Sequence, residues 1–261
     1  MENKEILKRC FGLMDLTTLR PEDTPTSVKT LVGKVTEFHR LYPDYPLPAS
    51  VCVYPNFAKV VKDNRVSPEL HVTCVAGCFP ASQSFLEVKQ REVELAIDNG
   101  ADEIDIVLAL NAFLVEDFDA ASFEIRAIKT ICESRNVLLK VILETGVLRE
   151  DDLIYKASML AMEAGADFIK TSTGKVPVNA TPQAAKVMCT AIRDFNLKTG
   201  RKVGFKAAGG VSNADEALEY YNIVKDILGE EWLNKDLFRF GVSRLGNSLV
   251  SAIEGKEVKF F

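Results

Sequence analysis

Three consecutive segments decide the fold class: HVTCVAG (His71 to Gly77), FLEVKQREVELAIDNG (Phe85 to Gly100) and EIDIVLA (Glu103 to Ala109). The first and third are short runs rich in valine and isoleucine, which predict strands. The middle segment repeats its apolar residues at helical spacing and ends on a glycine, which predicts a helix. Together they form a strand–helix–strand unit, the building block of a parallel sheet.

The same alternation of strand and helix runs through the whole chain. Eight strand candidates follow this spacing: Gly12–Leu16, Ser50–Tyr54, His71–Gly77, Glu103–Ala109, Leu138–Glu144, Phe168–Ser172, Val203–Ala208 and Arg239–Ser243. About 250 residues is usual for eight such units closed into a barrel. No linker or change of composition marks a second domain in the 261 residues. We therefore expect an α/β fold, a single (β/α)8 TIM barrel that spans residues 1–261.

The composition argues against several classes of protein. Apolar residues make up 47% of the chain and the formal net charge is −5, so neither disorder nor an electrostatic surface for nucleic acid or membrane is expected. No apolar run reaches membrane-span length. The charged N-terminus MENKEILKRC lacks the apolar segment of a signal peptide. We expect a cytoplasmic protein without nucleic-acid or membrane partners.

The cysteines and histidines do not form a metal-binding pattern. Six cysteines occur, mostly inside apolar runs, and no two have the Cys-x-x-Cys spacing. The two histidines, His39 and His71, complete no zinc-ligand spacing. The sequence therefore predicts buried free thiols in a reducing compartment and no metal site.

Ionisable side chains interrupt four consecutive apolar strands. Alternation along each strand puts these side chains on the face opposite the one that packs under the helices. They are Asp105, Lys140, Lys170 and Lys206. In a barrel that face points to the axis, where valine, isoleucine or leucine normally fills the interior. Because burying an isolated charge is costly, the four residues are either a paired network that fills the barrel or a chemical site.

Two lysines on neighbouring strands favour the chemical site. A free lysine has a pKa of about 10.4 and is almost wholly protonated at neutral pH. Burial and a neighbouring cation both disfavour the ammonium form, and the resulting neutral amine can attack a carbonyl to form an iminium. The iminium accepts electrons from the adjacent C–C bond, while Asp105 is placed to move protons. The pattern predicts a Schiff-base-forming (class I) aldolase with one of these strand lysines as its nucleophile.

The loops after the last three predicted strands are rich in small residues and anion donors. They read STGK (Ser172 to Lys175), AAGGVSNADE (Ala207 to Glu216) and GVSR (Gly241 to Arg244). Barrel enzymes often bind phosphate after strands seven and eight, at the N-terminus of a short helix, and Ser212 is a candidate helix cap. The predicted phosphate ligands are Gly174, Lys175, Gly209, Gly210, Gly241, Ser243 and Arg244.

Six segments of the chain resemble deoxyribose-phosphate aldolases. They are MDLTTL (Met14 to Leu19), GADEIDIV (Gly100 to Val107), LLKVILETG (Leu138 to Gly146), GADFIKTSTGK (Gly165 to Lys175), VGFKAAGGV (Val203 to Val211) and FGVS (Phe240 to Ser243). The block around Lys170 is the most specific. The resemblance implies reversible cleavage of 2-deoxy-D-ribose 5-phosphate to acetaldehyde and D-glyceraldehyde 3-phosphate. Such an enzyme is an aldehyde-lyase of deoxyribonucleoside catabolism and uses neither a metal nor an organic cofactor.

The resemblance also implies roles for individual residues. Lys170 would form the Schiff base, and Lys206 would lower its pKa and assist proton transfer. Asp105 would donate and accept protons through a water molecule. Asp15 and Thr17, at the end of the first strand, would support this relay and touch the sugar hydroxyl.

Two further residues are assigned supporting positions. Lys140 would pair with the surroundings of Asp105. Cys52 is able to face the site from the second strand, although a packed core thiol is the simpler interpretation.

Three positions depart from the family pattern. Ala207 stands where a proline is usual, and Arg244 stands where a second small residue is common. Arg244 would add charge to the phosphate site. The chain ends in Phe260-Phe261, whereas some members end in a tyrosine thought to help proton abstraction, and phenylalanine cannot transfer a proton.

Two other functions remain open. A different Schiff-base barrel aldolase or a transaldolase would keep the active lysine but accept a longer sugar phosphate. A non-catalytic sugar-phosphate-binding barrel would keep the pocket, yet it would not need the amine pair. Metal-dependent aldolase chemistry is disfavoured by the shortage of histidines. The expected partners are small sugar phosphates and aldehydes, and a homodimer is the expected assembly, as is common for barrels of this type.

Overall fold

The computed structural model describes residues 2–261 and contains eight parallel strands. They are β1 (Met14–Thr17), β2 (Ser50–Val53), β3 (His71–Val75), β4 (Glu103–Val107), β5 (Leu138–Ile142), β6 (Phe168–Lys170), β7 (Gly204–Ala208) and β8 (Phe238–Val242). Each strand pairs with the next in chain order, and β8 pairs with β1 to close the barrel. The prediction of a (β/α)8 TIM barrel is confirmed.

The helices surround this barrel and connect its strands. They are α1 (Glu2–Gly12), α2 (Pro25–Leu41), α3 (Ala58–Asn64), α4 (Leu86–Asp98), α5 (Leu110–Phe113), α6 (Phe118–Ser134), α7 (Thr145–Leu148), α8 (Asp151–Glu163), α9 (Pro182–Thr199), α10 (Ala214–Leu228) and α11 (Leu245–Glu254). Short 3-10 turns cover Pro55–Phe57 and Glu230–Trp232. Within residues 2–261, no helix combines the length and the apolar character needed to cross a membrane.

The apolar core lies between the strands and the helices. Strand alternation puts one face of each strand into this layer, as Ile104 and Ile106 of β4 show. Glu103 and Asp105 lie on the opposite face of the same strand and are fully buried inside the barrel. The alternation therefore separates an apolar outer layer from a charged interior.

Several element boundaries differ from those expected. β1 begins at Met14 because Gly12 still belongs to α1, and β8 begins one residue early, at Phe238. The expected cap of α10, Ser212, is wrong: Asn213 has the extended backbone of an N-cap, and its side chain accepts a bond from Glu216 N–H. Ser212 lies one residue too early for this geometry.

Candidate active site

The four ionisable residues singled out in the strands meet on the barrel axis. The register places Asp105 beside Lys140 on β4 and β5, and Lys170 beside Lys206 on β6 and β7. Three of them are fully buried, whereas Lys170 is 3% exposed. The small exposed fraction matters because it leaves the Lys170 amine accessible to a carbonyl compound.

Asp105 lies at the centre of these side chains. Its Oδ2 accepts hydrogen bonds from Lys170 Nζ at 2.9 Å and from Lys206 Nζ at 2.8 Å. Its Oδ1 accepts a hydrogen bond from Lys140 Nζ at 3.0 Å. Lys206 Nζ also lies 2.5 Å from Asp15 Oδ2, as a close ion pair and not as an aligned hydrogen bond. One carboxylate thus contacts both lysines of the predicted pair, which gives a proton a short path between them.

Two more buried ions complete the network, and the sequence analysis did not select either of them. Glu103 Oε2 accepts a 2.6 Å hydrogen bond from Lys140 Nζ. Arg239 donates to Glu103 Oε1 at 2.7 Å and to Asp15 Oδ1 at 2.6 Å. The period of two along a strand was the available signal, because Glu103 lies two residues before Asp105 on the same inward face.

The network contains one more base than it has acids. The bases are Lys140, Lys170, Lys206 and Arg239, and the acids are Asp15, Glu103 and Asp105. Burial lowers the pKa of Lys170; Asp105 opposes this effect and Lys206 adds to it. Burial acts in the same direction on the pKa values of Lys140, Lys206 and Arg239, but neighbouring carboxylates outweigh it and raise them. Six ions therefore balance one another, and Lys170 is the base that most readily gives up its proton.

The carboxylates of the network stay ionised. Burial alone would raise the pKa of Asp105, but Lys140, Lys170 and Lys206 outweigh burial and hold it well below its usual range. The pKa values of the other two carboxylates are lowered in the same way by the bases around them. Asp105 is therefore unprotonated at rest, and both of its oxygens are free to accept hydrogen bonds from the neighbouring lysines.

A pocket of about 360 Å³ opens onto Lys170 at the carboxyl ends of the strands. Thr17 lines this pocket, as do all seven residues expected to bind phosphate: Gly174, Lys175, Gly209, Gly210, Gly241, Ser243 and Arg244. The sequence analysis missed Arg20 and Asn179, which also line it. Among the described residues, no aspartate or glutamate contributes to the lining. The pocket therefore suits an anionic ligand with its reacting end at Lys170.

The two glycines after β7 have backbones that favour glycine. Gly209 has φ +74° and Gly210 has φ +87°, and a Cβ atom at Gly209 would lie 2.7 Å from Asn179 Oδ1. The N–H of Gly209 donates to Gly241 O at 3.3 Å. Within residues 2–261, the Gly210 N–H has no such partner, so it is the better donor for an anion.

The N-terminus of α11 and three cationic side chains complete this end of the pocket. Ser243 and Arg244 immediately precede α11, whose first N–H groups and positive dipole end favour an anion. Lys175 Nζ donates to Leu19 O at 2.5 Å, which holds the ammonium group next to the loop that carries Arg20. Three cationic side chains thus surround the mouth of the pocket.

Comparison with known proteins agrees with this geometry. Residues 11–226 match the model of the DeoC/LacD family aldolase. The chain belongs to the DeoC/LacD aldolase family. A Caenorhabditis elegans protein named "Putative deoxyribose-phosphate aldolase" is 45% identical over 254 residues, which are 94% of this chain and 80% of that protein. The chain is therefore a lyase, and the resemblance seen in its sequence is confirmed.

Solved structures share the fold of this aldolase. "QR15, an Aldolase" is 28% identical, with a TM-score of 0.73 over 94% of this chain and 95% of that one. The deoxyribose phosphate aldolase from Aeropyrum pernix, described as a unique tetrameric structure, is 24% identical. Its TM-score is 0.74 over 96% of this chain and 92% of that one.

The supporting residues on β1 and β2 of the aldolase differ in their access to the pocket. Thr17 lines the pocket, and its Oγ1 donates to Asp15 O at 2.8 Å. Cys52 is fully buried and packs with Leu19 and Val75, and burial raises the pKa of its thiol. Thr17 is thus able to touch a ligand, whereas Cys52 is a core thiol at the edge of the network.

A buried carboxylate anchors the loop after β6 of the aldolase. Glu144 accepts hydrogen bonds from Thr173 N–H at 3.1 Å and from Thr173 Oγ1 at 2.5 Å. The Lys175 N–H then donates to Thr173 Oγ1 at 3.0 Å. Glu144 has φ +55°, a conformation that non-glycine residues seldom adopt. The position of Lys175 in the pocket therefore depends on a strained residue that immediately precedes α7.

The C-terminal residues of the aldolase pack on its outer helices. The rings of Phe260 and Phe261 lie 5.3 Å and 5.2 Å from the ring of Phe38 in α2. Asn247 of α11 accepts a hydrogen bond from the backbone N–H of each of the two terminal phenylalanines. In this structure the tail stabilises α2 and α11.

Proposed function

We propose that this aldolase reversibly cleaves 2-deoxy-D-ribose 5-phosphate to acetaldehyde and D-glyceraldehyde 3-phosphate through a Schiff base on Lys170. The reaction would serve deoxyribonucleoside catabolism in the cytoplasm. The observation that carries the proposal is the position of Lys170. It is the base of the buried network whose pKa is lowered, and it opens onto a cation-lined pocket.

The first step is addition of the amine to the substrate aldehyde. The neutral Lys170 Nζ attacks C1 of the open-chain sugar, and the C1–N bond forms as the carbonyl π bond breaks. The carbinolamine hydroxyl leaves as water after it receives a proton, and the nitrogen lone pair forms the iminium. Asp105 contacts the attacking nitrogen at 2.9 Å, so it accepts the amine proton and passes it to the former carbonyl oxygen, which becomes the carbinolamine hydroxyl. Lys206, which binds the same Asp105 oxygen, supplies the second proton, with which that hydroxyl leaves as water.

The second step breaks the bond between C2 and C3. A base removes the C3 hydroxyl proton, the C3–O bond becomes a carbonyl, and the C2–C3 electron pair moves into the iminium to give an enamine. D-glyceraldehyde 3-phosphate is then free to leave. Protonation of the enamine at C2 and hydrolysis of the new iminium release acetaldehyde and restore the amine. Asp105 and Lys206 are joined by a 2.8 Å hydrogen bond. They are the groups that would accept and donate these protons.

The phosphate end of the substrate would lie against the loops after β6, β7 and β8. The Gly210 N–H and the N-terminus of α11 supply uncharged donors, and Lys175 and Arg244 supply positive charge. Arg20 adds a third cation from the loop after β1. A phosphate carries close to two negative charges at neutral pH, so local cations of this kind compensate for the acidic charge of the whole chain.

Borohydride trapping tests the proposal directly. The protein is incubated with acetaldehyde, reduced, digested and mapped by mass spectrometry. We expect an N-ethyl group on Lys170 and release of acetaldehyde from deoxyribose 5-phosphate in a coupled assay. Labelling of Lys206 or Lys140 with Lys170 unmodified would contradict the assignment. Trapping without acetaldehyde release would favour an aldolase or transaldolase for a longer sugar phosphate.

Two expectations concern the chain as a whole. The single domain proposed for residues 1–261 should unfold in one cooperative transition. The homodimer remains a prediction, and light scattering on the purified chain would separate it from a monomer or from a tetramer like that of the Aeropyrum pernix protein.

A further inference from the structure

Two buried ions lie in a second charged layer, nearer the amino ends of the strands than the reacting groups. Glu103 is the first residue of β4, two residues before Asp105, and Arg239 is the second residue of β8. Both side chains are fully buried. Neither lines the pocket above Lys170, so neither touches a bound substrate.

We propose that Glu103 and Arg239 are positioning residues for the aldol reaction, which set the net charge of the barrel interior and thereby tune the protonation of Lys170: Arg239 disfavours its ammonium form and Glu103 favours it. The inference rests on the proposed function, because it concerns the same nucleophile. Two residues without contact to the substrate would then control how reactive that nucleophile is.

The contacts of Glu103 connect β4 to three other strands. It accepts hydrogen bonds from Lys140 Nζ at 2.6 Å, from Arg239 Nη2 at 2.7 Å and from Thr73 Oγ1 at 2.7 Å. His71 Nδ1 lies 2.7 Å away. The His71 side chain is 28% exposed and is charged only when protonated. Glu103 is therefore the carboxylate that all four of these side chains contact.

The same layer reaches Lys170 by two routes. Lys140, which Glu103 binds, also binds Asp105, and Asp105 binds Lys170. Arg239 binds Asp15, and Asp15 pairs with Lys206, which shares the Asp105 oxygen with Lys170. The charged groups around Lys170 itself are thus Asp105 and Lys206, with the thiol of Cys52 also close. A change of charge at Glu103 or Arg239 acts through buried ions, which solvent and salt screen much less than exposed ones.

The two residues should act on Lys170 with opposite signs. Without the negative charge of Glu103, the interior would hold more positive charge, and an ammonium at Lys170 would be less favourable. Without the positive charge of Arg239, the carboxylates would lack a partner, and an ammonium at Lys170 would restore the balance. A purely structural role predicts a different pattern, in which both substitutions loosen the barrel and lower activity without moving its pH dependence.

Four variants separate these possibilities: Glu103→Gln, Arg239→Met, the double variant with both changes, and Lys89→Met as a control. Lys89 is a buried lysine on α4 that binds Ser82 at 3.0 Å and Glu124 at 2.6 Å, outside the network. The measurements are kcat/KM for acetaldehyde release against pH, and the pH dependence of borohydride trapping at Lys170. Circular dichroism establishes which variants fold.

The acidic limb of the profile, which follows the pKa of Lys170, is the decisive readout. We expect it to move to lower pH in Glu103→Gln and to higher pH in Arg239→Met, each by about one pH unit. That is the size expected for one charge roughly 10 Å away at an effective dielectric constant of about 20. In the double variant the acidic limb should lie close to its position in the unchanged protein, and Lys89→Met should leave the limb unmoved.

Other outcomes overturn the inference. The acidic limb could stay in place in folded Glu103→Gln, or it could move in the same direction in both single variants. Either result would show that Glu103 and Arg239 have only a structural role. If Arg239→Met fails to fold, Glu103→Gln decides alone, because glutamine keeps the size of the side chain and removes only its charge. Absence of acetaldehyde release and of trapping in the unchanged protein would instead refute the proposed function.

Discussion

Replacing Lys206 with methionine tests how far the second lysine controls the reactivity of Lys170. Both nitrogens bind the same oxygen of Asp105, so they lie within about 6 Å of each other. At an effective dielectric constant of about 20, two unit charges at this distance repel by about 3 kcal/mol. That energy corresponds to about two pKa units. Lys206→Met should therefore raise the pKa of Lys170 by about two units.

A second effect of the substitution acts in the same direction. Lys206 also pairs with Asp15 at 2.5 Å, so its loss leaves two carboxylates with less compensation, and they favour an ammonium at Lys170. Methionine fills a similar volume, but an unpaired buried charge typically costs about 3–5 kcal/mol of stability. Circular dichroism and a thermal melt must therefore accompany the kinetics.

The assay is kcat/KM against pH for the unchanged protein, Lys206→Met and Lys206→Arg. The acidic limb should move to higher pH in Lys206→Met, and iminium trapping at neutral pH should fall. Arginine keeps the cation but does not give up a proton, so Lys206→Arg should restore part of the limb position without restoring turnover. The fit of arginine is tight, because Lys206 Cε lies 3.0 Å from where a Cβ of Gly241 would be.

A folded Lys206→Met protein with normal turnover and an unmoved acidic limb would refute this reasoning. Burial, the largest cause of the lowered pKa of Lys170, would then be sufficient without a second lysine. If the limb moves in Lys206→Met while turnover stays normal, Lys206 lowers the pKa of Lys170 but is not needed for proton transfer. Asp105 would then carry the protons.

Three further substitutions test the phosphate end of the pocket. Gly210→Val, at φ +87°, should raise KM for deoxyribose 5-phosphate at least about tenfold through strain and lost contact; equal losses on unphosphorylated deoxyribose would count against this pocket. Arg20→Ala should raise KM for the phosphorylated substrate by about tenfold and leave kcat unchanged, and an unaltered KM in steady-state kinetics would remove Arg20 from the site. Glu144→Gln weakens the two bonds to Thr173 and should lower the free energy of unfolding by about 1–3 kcal/mol while raising KM; a melt that matches the unchanged protein would show that the loop is held by other contacts.

The barrel itself could be predicted because its signals are local. Alternation with a period of two and apolar spacing near 3.6 identify strands and helices within a few residues. Boundaries are less certain because end residues obey competing rules, as Gly12 shows by closing α1 when it was expected to open β1. The cap of α10 followed backbone geometry, which placed Asn213 and not Ser212 at the first position.

The reacting layer of the site could also be predicted, but its partners could not. Lys170 and Lys206 stand out because lysine is unexpected on the inward face of a barrel strand. Glu103 and Arg239 lie at strand starts, where polar residues are ordinary, so the same pattern did not select them. Which acid pairs with which base depends on the tilt and closure of the barrel. The placement of Arg20 at the pocket likewise depends on the conformation of the loop after β1. Residue spacing in the sequence does not predict that conformation.

The excess of one base bears on more than the resting state of Lys170. In the proposed reaction Lys170 passes from a neutral amine to a cationic iminium, and then to a neutral enamine when the C2–C3 bond breaks. The six ions of the interior already balance one another, so an additional cation is unfavourable there. The iminium is such a cation, and its free energy is therefore raised relative to the neutral enamine that follows it. Asp105, 2.9 Å from the nitrogen, keeps the cation accessible, and the surplus positive charge favours its discharge by electrons from the substrate. The charge balance that would make Lys170 nucleophilic would thus also make its iminium a stronger electron acceptor. A change of charge at Glu103 or Arg239 should therefore affect the bond-breaking step together with the first addition.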